Sequence, residues 1–309
     1  MSFRYFAMSD IHSFYDEMQD ALSLSNFDIN NPKHILIICG DIFDRGNKTI
    51  EVYNFIKGLP KERVIMVKGN HEQLYFELLD KTLPDDYDFS NGTVNTFLNI
   101  AGKPKHYLDS REIYFEAYTK DATVSSVEIS AIMKSRWNEV KRAVKKSEIT
   151  KWLQSGQWVD YFEIDNLIFV HSFLPLRMKQ DAKLECLKYY PTHYLNNDML
   201  ELIPDWRKSA TKTEWEDARW GCPWRQFASG LFADEITQNK VLVCGHWHTS
   251  DFHAKFDGIT DQNLNIFFSP HLIALDACTA VSGFCNVLVY DTNTKLCYDK
   301  FLNVLGGIT

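Results

Sequence analysis

The stretch from Ile38 to Asn47, ICGDIFDRGN, decides the fold class of this chain. It continues the aliphatic run that starts at His34, and such a run is typical of a buried strand. Asp41, Asp44 and Arg45 follow directly after the run. The stretch therefore predicts a buried strand whose carboxyl end carries several charged side chains close together.

Four further apolar runs end in the same way, with a small or polar residue after strand-favouring residues. They are RYFAMSD (4–10), RVIMVKGN (63–70), NLIFVHS (166–172) and KVLVCGH (240–246). The segments 14–25 and 48–59 separate the first three runs and have apolar spacing that suits amphipathic helices. The chain thus begins β-α-β-α-β, and ligands of such sheets bind outside the carboxyl ends of the strands.

The rest of the chain has a different pattern. Three strand-like runs, 265–278, 284–292 and 296–304, follow one another with short turns and predict a meander or a second sheet. Residues 78–157 predict a helical insertion within a single domain that spans 1–309. Its longest helical pattern, 126–153, fits either a cap over the site or a packing helix with a basic, solvated face.

Composition excludes several classes of protein. The chain has 309 residues, of which 45% are hydrophobic, so it can fill a large core. Its formal charge of −8 comes from 33 Lys and Arg against 41 Asp and Glu, which argues against general nucleic-acid binding. No apolar run suggests a signal peptide or a membrane span, and we expect a cytoplasmic protein without membrane contact. The seven scattered cysteines include no C-x-x-C pair and predict reduced thiols.

Side chains that can bind metals stand at all five predicted strand ends. They are Asp10, His12, Asp41, Asn70, His71, His171, His246 and His248. Carboxylate, imidazole and amide oxygen are ligands for borderline divalent metals. Taken singly, Asp41 can cap a helix, Asn70 can occupy a tight turn, and His171 can be a hydrogen-bonded core residue. Their shared position at strand ends favours a metal site.

The order of these motifs resembles that of the calcineurin-like metallophosphoesterases. The motifs are Asp10-x-His12, GDIFDRG (40–46), GNHE (69–72), His171 and GHWH (245–248). GDIFDRGN and GNHE are most similar to the branch that contains Ser/Thr protein phosphatases and symmetrical diadenosine tetraphosphatases. The resemblance covers about residues 4–80 and 158–295. It implies an α/β fold, in which a two-sheet β-sandwich is flanked by helices, and a two-metal hydrolase.

The resemblance also implies roles for the motif residues. Asp41 bridges two divalent ions, which are Mn, Fe or Zn by donor type. The remaining ligands are Asp10, His12 and His248 for one ion, and Asn70, His171 and His246 for the other. Two such ions can hold a hydroxide nucleophile and stabilise in-line displacement at phosphorus.

Three further residues act on the substrate if the resemblance holds. Arg45 binds phosphate oxygens, for which its planar fork is suited. His71 donates a proton to the leaving oxygen, and Asp44 orients its imidazole. Asn70 lies where it contacts both metal and substrate.

A second phosphate-binding arginine is expected in TEWEDARWGCPWRQF (213–227). Arg219 is the substrate-binding candidate, with Arg225 as an alternative. The three tryptophans of this segment either stack a nucleobase or pack as an aromatic cluster under a loop.

Three functions remain open at this point. The leading one is hydrolysis of phosphomonoesters, similar to that of Ser/Thr protein phosphatases. The second is hydrolysis of dinucleoside polyphosphates such as diadenosine tetraphosphate, and the third is a non-catalytic metal-binding module. The expected partners are accordingly a phosphorylated protein or a nucleotide, and the sequence leaves the oligomeric state open.

Overall fold

The computed structural model describes residues 2–155, 157–180 and 191–308. The strands in chain order are β1 (Arg4–Met8), β2 (His34–Cys39), β3 (Val64–Val67), β4 (Trp158–Val159), β5 (Phe162–Ile164), β6 (Leu167–Phe169), β7 (Leu176–Met178), β8 (Leu200–Leu202), β9 (Val241–Cys244), β10 (Phe267–Phe268), β11 (Leu272–Ala274), β12 (Leu288–Asp291), β13 (Leu296–Tyr298) and β14 (Val304–Gly307).

The α-helices in chain order are α1 (Tyr15–Leu24), α2 (Thr49–Gly58), α3 (Asn70–Asp80), α4 (Asp86–Ser90), α5 (Thr93–Ile100), α6 (Ser110–Tyr118), α7 (Ser126–Lys146), α8 (Glu148–Leu153), α9 (Trp206–Ser209), α10 (Lys212–Ala218), α11 (Pro223–Ala228), α12 (Ala233–Ile236), α13 (Thr249–Phe252) and α14 (Thr279–Ser282). Short 3-10 turns lie at 61–63, 192–194 and 197–199.

Two sheets contain most of the strands. The first has the order β14-β13-β12-β1-β2-β3-β4, and the second has the order β10-β11-β9-β6-β5. β1, β2 and β3 are parallel neighbours, as the β-α-β-α-β pattern predicts. The C-terminal runs divide between the sheets, because β10 and β11 join the second sheet whereas β12, β13 and β14 form an antiparallel meander that extends the first.

The sheets pack face to face, and helices cover their outer faces. All six residues of β2 are buried, which is the pattern of a strand covered on both sides. Ala7 and Ile37 of the first sheet share a core with Phe169 and Val243 of the second. Residues of α1, α2, α3, α5, α7 and α8 pack on the first sheet, and those of α9, α10 and α13 pack on the second. The predicted sandwich flanked by helices is confirmed.

The region 78–157 consists mainly of helices. The pattern at 126–153 forms two helices, because Ser147 ends α7 and its side chain accepts a hydrogen bond from the Thr150 N–H at the start of α8. Trp137, on α7, is fully buried and stacks on Phe97, on α5, with ring centroids 5.6 Å apart. These helices are therefore part of the core layer on the first sheet. That region 78–157 is an insertion within the domain stays a prediction.

The parallel strands place their carboxyl ends at one edge of the sandwich. β1, β2 and β3 of the first sheet and β6 and β9 of the second each end two or three residues before a predicted site residue. In the described ranges, none of the helices combines the length and the apolar character that a membrane span requires.

Candidate metal centre

Seven predicted site residues converge where strands of the two sheets end. We call Asp10, His12, Asp41, Asn70, His71, His171 and His246 the strand-end cluster. All except His246 are at most 4% exposed, and His246 is half-buried. Their donor atoms form two groups that share Asp41, one with His12 and His71 and the other with His171 and His246.

The group around His171 brings four donor atoms together. Nε2 of His171 lies 2.8 Å from Oδ1 of Asn70, 3.2 Å from Nδ1 of His246 and 3.4 Å from Oδ1 of Asp41. The opposite nitrogen, Nδ1, lies 2.8 Å from the Cys39 carbonyl oxygen and must donate to it, since a carbonyl only accepts. The lone pair of Nε2 therefore points into the cluster, as in metal-binding histidines.

The group around His12 is wider. Nε2 of His12 lies 3.8 Å from Oδ2 of Asp41 and 3.9 Å from Oδ1 of Asp10. Its Nδ1 donates to the Phe43 carbonyl oxygen at 2.9 Å, which again leaves the Nε2 lone pair for a ligand. The other oxygen of Asp10 accepts hydrogen bonds from Ser9 Oγ and from the backbone N–H of His246 at 2.9 Å. Asp10 is thus fixed with one oxygen toward His12.

Protonation states in the cluster suit cation binding. Burial, helped by the charge of His71, holds the pKa of His12 well below its usual value. Burial and His171 do the same to the pKa of His246, so both rings are neutral at physiological pH and can offer a lone pair to a cation. Burial raises the pKa of Asp41, but the surrounding histidines outweigh it and lower that pKa overall. Neutral imidazoles with a shared carboxylate fit two divalent ions.

His71 is held by Asp44. Nδ1 of His71 lies 2.7 Å from Oδ2 of Asp44, and its Nε2 lies 3.8 Å from Oδ2 of Asp41. Burial lowers the pKa of His71, but the charge of Asp41 and the hydrogen bond with Asp44 outweigh burial and raise it to about 9. Cations bound nearby would lower this pKa again by charge repulsion. The exposed Arg45 places Nη2 3.5 Å from Nε2 of His71.

Helix α5, in region 78–157, contacts the site through Asp44. Thr93 Oγ1 donates to Oδ2 of Asp44 at 2.8 Å, and Thr96 Oγ1 donates to Oδ1 at 2.6 Å. The backbone N–H of Asp44 donates in turn to Thr96 Oγ1 at 2.9 Å. Sequence reasoning missed both threonines, because no local pattern links them to a motif about 50 positions earlier.

Glu72 supports the turn that carries Asp41. Its carboxylate accepts the backbone N–H groups of Gly69, Asp41 and Ile42 at 2.7–3.0 Å. A Cβ at Gly69 would lie 2.1 Å from Oδ1 of Asp41, so only glycine fits there. Glu72 is therefore a structural carboxylate at the start of α3.

Several site residues adopt the positive-φ backbone conformation, which is unfavourable for L-amino acids. The predicted site residues with φ between 50° and 78° are Asp10, His12, Asp41, Asp44, Arg45 and His246. Each such conformation costs about 1–3 kcal/mol, and such strain is concentrated at functional sites in proteins.

Two predicted site residues, unlike Asp44 and Arg45, form no hydrogen bond or ion pair with the strand-end cluster in the described part of the chain. His248 is half-buried and directly precedes the first residue of α13. Arg219 is buried, and Nη2 donates to Oδ1 of Asp160 at 2.6 Å. It lines a cavity of about 440 Å³ together with Lys68, Gly69 and Glu72. A ligand role for His248 and a phosphate-binding role for Arg219 stay predictions.

Asp276 is a further buried carboxylate beside the cluster. The preceding residue, Leu275, donates its N–H to the Cys244 carbonyl oxygen at 2.9 Å, so Asp276 lies abreast of the turn that carries His246. Burial and the charge of Asp10 raise the pKa of Asp276 well above its usual value. A signal was available for it, since LIALD (272–276) is also an apolar run that ends in an aspartate.

Comparisons with known proteins show the family and the fold of the chain. A family model described as calcineurin-like phosphoesterase matches residues 3–250. The asymmetrical bis(5'-nucleosyl)-tetraphosphatase of Bacillus subtilis (strain 168) is 42% identical over 22% of this chain and 30% of its own length. A symmetrical bis(5'-nucleosyl)-tetraphosphatase of Coxiella burnetii (strain Dugway 5J108-111) is 25% identical over 51% of this chain and 52% of its own length. The chain spans about half or less of these relatives.

Among solved structures, the cold-active protein-tyrosine phosphatase of a psychrophilic Shewanella species has a TM-score of 0.51 at 14% identity. The similarity covers 99% of this chain and 80% of that one. At so low an identity it shows a shared fold and nothing about the substrate.

Proposed function

The chain belongs to the calcineurin-like phosphoesterase family, and from this premise we propose that it hydrolyses phosphoesters with two divalent metal ions. The observation that carries the proposal is the position of Asp41. Its Oδ1 lies 3.4 Å from His171 Nε2, and its Oδ2 lies 3.8 Å from His12 Nε2. One carboxylate therefore offers one oxygen to each group of donors, as a bridging ligand must.

The proposed ligands follow from this arrangement. Asn70, His171 and His246 complete the site at Oδ1 of Asp41, and Asp10 and His12 contribute to the site at Oδ2. His248 is the further proposed donor of this second set. Once bound, a pair of divalent ions supplies a nucleophile from water at neutral pH and stabilises charge on the phosphoryl group. Asp, His and Asn donors suit manganese, iron and zinc alike.

The remaining residues act on the substrate. His71 donates a proton to the leaving oxygen, and Asp44 holds its ring through the 2.7 Å contact with Nδ1, so Nε2 is the nitrogen that delivers the proton. Arg45 is exposed beside His71, where its planar guanidinium can bind two non-bridging phosphate oxygens. Burial of the cluster excludes bulk water and strengthens these charge interactions.

Two classes of substrate are compatible with this chemistry. Phosphomonoesters, including phosphorylated proteins, are the class expected from the sequence motifs. The similarity to proteins named bis(5'-nucleosyl)-tetraphosphatases favours dinucleoside polyphosphates as the second class. A metal-binding module without catalysis is the remaining alternative, and any metal-dependent turnover would exclude it.

The test is a panel of substrates offered to the metal-depleted protein with and without added manganese, iron or zinc. The panel contains phosphoserine peptides, glycerol 2-phosphate and diadenosine tetraphosphate. We expect turnover of at least one substrate only after metal addition, with about two ions bound per chain. Metal-independent turnover, or no turnover with any metal, would contradict the proposal.

A further inference from the structure

The tryptophans near the cluster differ in what they contact. Trp215 is buried and stacks on Tyr161 at 5.5 Å with the ring planes 10° apart, so it belongs to the core. Trp224 is half-buried and meets Trp247 edge to face. Trp220 is also half-buried but borders the strand-end cluster, because its ring lies edge-on to the ring of His246 at 6.1 Å.

A cavity of about 420 Å³ lies against Trp220. His193 lines it as well, and its ring lies nearly parallel to that of Trp220 at 6.2 Å. Gln73 lines another part of the cavity and sits one helical turn after Asn70 on α3, so the two side chains are neighbours on the helix. The cavity thus adjoins the cluster on two sides, through Trp220 and through Gln73.

His193 is fixed in place by Asp217. Nδ1 of His193 forms a hydrogen bond with Oδ1 of Asp217, and Thr192 donates to the other oxygen. Burial raises the pKa of Asp217, but the hydrogen bonds from His193 and Thr192 outweigh it and keep the group ionised. Among the described residues Nε2 of His193 has no hydrogen-bond partner, so it remains for a ligand.

Charge decides which part of a substrate can enter the cavity. Glu214, Glu216 and Asp217 line it, whereas the described part of the chain contributes no lysine or arginine to its wall. These carboxylates repel phosphate groups. Asp217 is bonded to His193 and Thr192, and Glu216 pairs with Lys212, so Oε1 of Glu214 is the oxygen that can accept a hydrogen bond from an amino group. An uncharged aromatic ring with N–H donors, which is a nucleobase, satisfies both the aromatic faces and the polar wall.

We propose that Trp220 and His193 form a nucleobase subsite for a nucleotide whose scissile phosphate lies at the strand-end cluster. The inference rests on the proposed function and names its substrate class. Trp220 stacks on the base, and Nε2 of His193 hydrogen-bonds to its edge. The phosphates extend away from the acidic cavity toward the metal ligands and Arg45.

The test compares matched ligands with and without a base on the metal-loaded protein. Calorimetry measures binding of ADP and of pyrophosphate, and kinetics measures kcat/KM for diadenosine tetraphosphate and for tripolyphosphate. Trp220→Ala should weaken the binding of ADP, relative to the binding of pyrophosphate, by about tenfold or more, which is the usual scale for base–aromatic stacking. The ratio of kcat/KM for diadenosine tetraphosphate to kcat/KM for tripolyphosphate should fall by a similar factor. Trp220→Phe should recover most of both ratios, and Trp224→Phe, a matched change outside the cavity, should alter neither.

Different outcomes separate the two proposals. If ADP binding depends on Trp220 but no phosphoester is hydrolysed, the proposed function fails and the subsite stands. If phosphoserine peptides or glycerol 2-phosphate are hydrolysed but Trp220→Ala leaves both ratios unchanged, the subsite is wrong and the hydrolase stands. If Trp220→Ala reduced kcat/KM for phosphotyrosine as much as for diadenosine tetraphosphate, the nucleobase assignment would also be overturned, because the phosphotyrosine ring lacks N–H donors. Metal content is measured for every variant, because Trp220 borders His246.

Discussion

The strand-end cluster and the wall formed by Trp220, His193 and Asp217 border each other at His246, yet they are built differently. In the cluster, His12 and His171 each donate from one ring nitrogen to a backbone carbonyl, and four of its seven residues, Asp10, His12, Asp41 and His246, have strained positive φ values. In the wall, His193 lies in a short 3-10 turn, Asp217 lies on the short helix α10, and Trp220 follows that helix. The carboxylate of Asp217 holds the ring of His193. The cluster can change little without losing its function, whereas the wall can vary and alter which substrate binds.

This contrast predicts where substitutions act. Changes in the cluster should remove metal or chemistry for every substrate. Changes in the wall should alter the ratio between substrates, as expected for Trp220→Ala. The predictions below test this division from the largest expected effect to the smallest.

Asp41→Asn should have the largest effect. The amide offers one oxygen and no negative charge, so it cannot bridge two cations that the carboxylate of Asp41 would share. We expect bound metal to fall below two ions per chain and turnover to fall to background on all substrates. Elemental analysis and a thermal melt measure the loss of metal and confirm that the chain is still folded.

The matched control is Asp16→Asn, which changes an exposed aspartate that pairs with Lys48. It should keep both ions and normal rates. If Asp41→Asn also kept two ions and normal rates, the bridging role would be wrong. A substitution in the buried cluster would then have no larger effect than one at the exposed Asp16.

His71→Asn should rank second and should depend on the leaving group. General acid catalysis is typically worth about 10²–10⁴-fold and matters most for a poor leaving group. We expect a loss of that order on phosphoserine and a much smaller loss on nitrophenyl phosphate, with both ions retained. Rates on the two esters and metal content are measured together.

The structure also allows a competing outcome, because Nε2 of His71 belongs to the same donor group as His12 and Asp41. Loss of one ion from His71→Asn, with both ions retained in His248→Asn, would make His71 a ligand of the site that contains Asp10 and His12. Equal losses on both esters with metal intact would instead refute the acid role.

Asp44→Asn should show the same leaving-group bias at a smaller size. An asparagine can still accept a hydrogen bond from His71 but lacks the charge that favours the protonated ring. Removal of an orienting partner typically costs about 10–100-fold, a scale measured for partners of metal-bound histidines. Thr96→Val removes two hydrogen bonds with Asp44, one to its Oδ1 and one from its backbone N–H, and should give a milder form of the same bias. A loss that is equal for alkyl and aryl esters would argue against orientation of His71.

The same contrast explains what sequence could predict. Asp10, Asp41, Asn70, His171 and His246 were predictable because parallel strands bring their carboxyl ends to one edge, whatever the loops do. Thr93 and Thr96 were not, because their contact with Asp44 depends on how α5 packs. The segment 213–227 was ambiguous, since burial alone separates Trp215 in the core from Trp220 beside His246. Positive φ at Asp41 or His246 was not predictable from residue type alone, because aspartate and histidine adopt it more often than most residues but still only in a small minority of cases.

Arg219→Ala should have the smallest effect on catalysis and tests the border between the two regions. Arg219 lines a cavity with Gly69, which contacts Asp41, but its guanidinium is already paired with Asp160. An arginine shared in this way can attract phosphate only weakly, so we expect KM for phosphorylated substrates to rise about fivefold or less, the scale of a screened ion pair. Metal content and kcat should stay unchanged, because Arg219 contacts no proposed metal ligand among the described residues. Asp160→Asn is the matched variant, since it breaks the same pair but frees the arginine, and it should leave KM unchanged or lower it. If both variants lower the melting temperature equally and neither changes KM, Arg219 stabilises the fold through Asp160, and substrate binding depends on the metal ligands, Arg45 and the Trp220 wall alone.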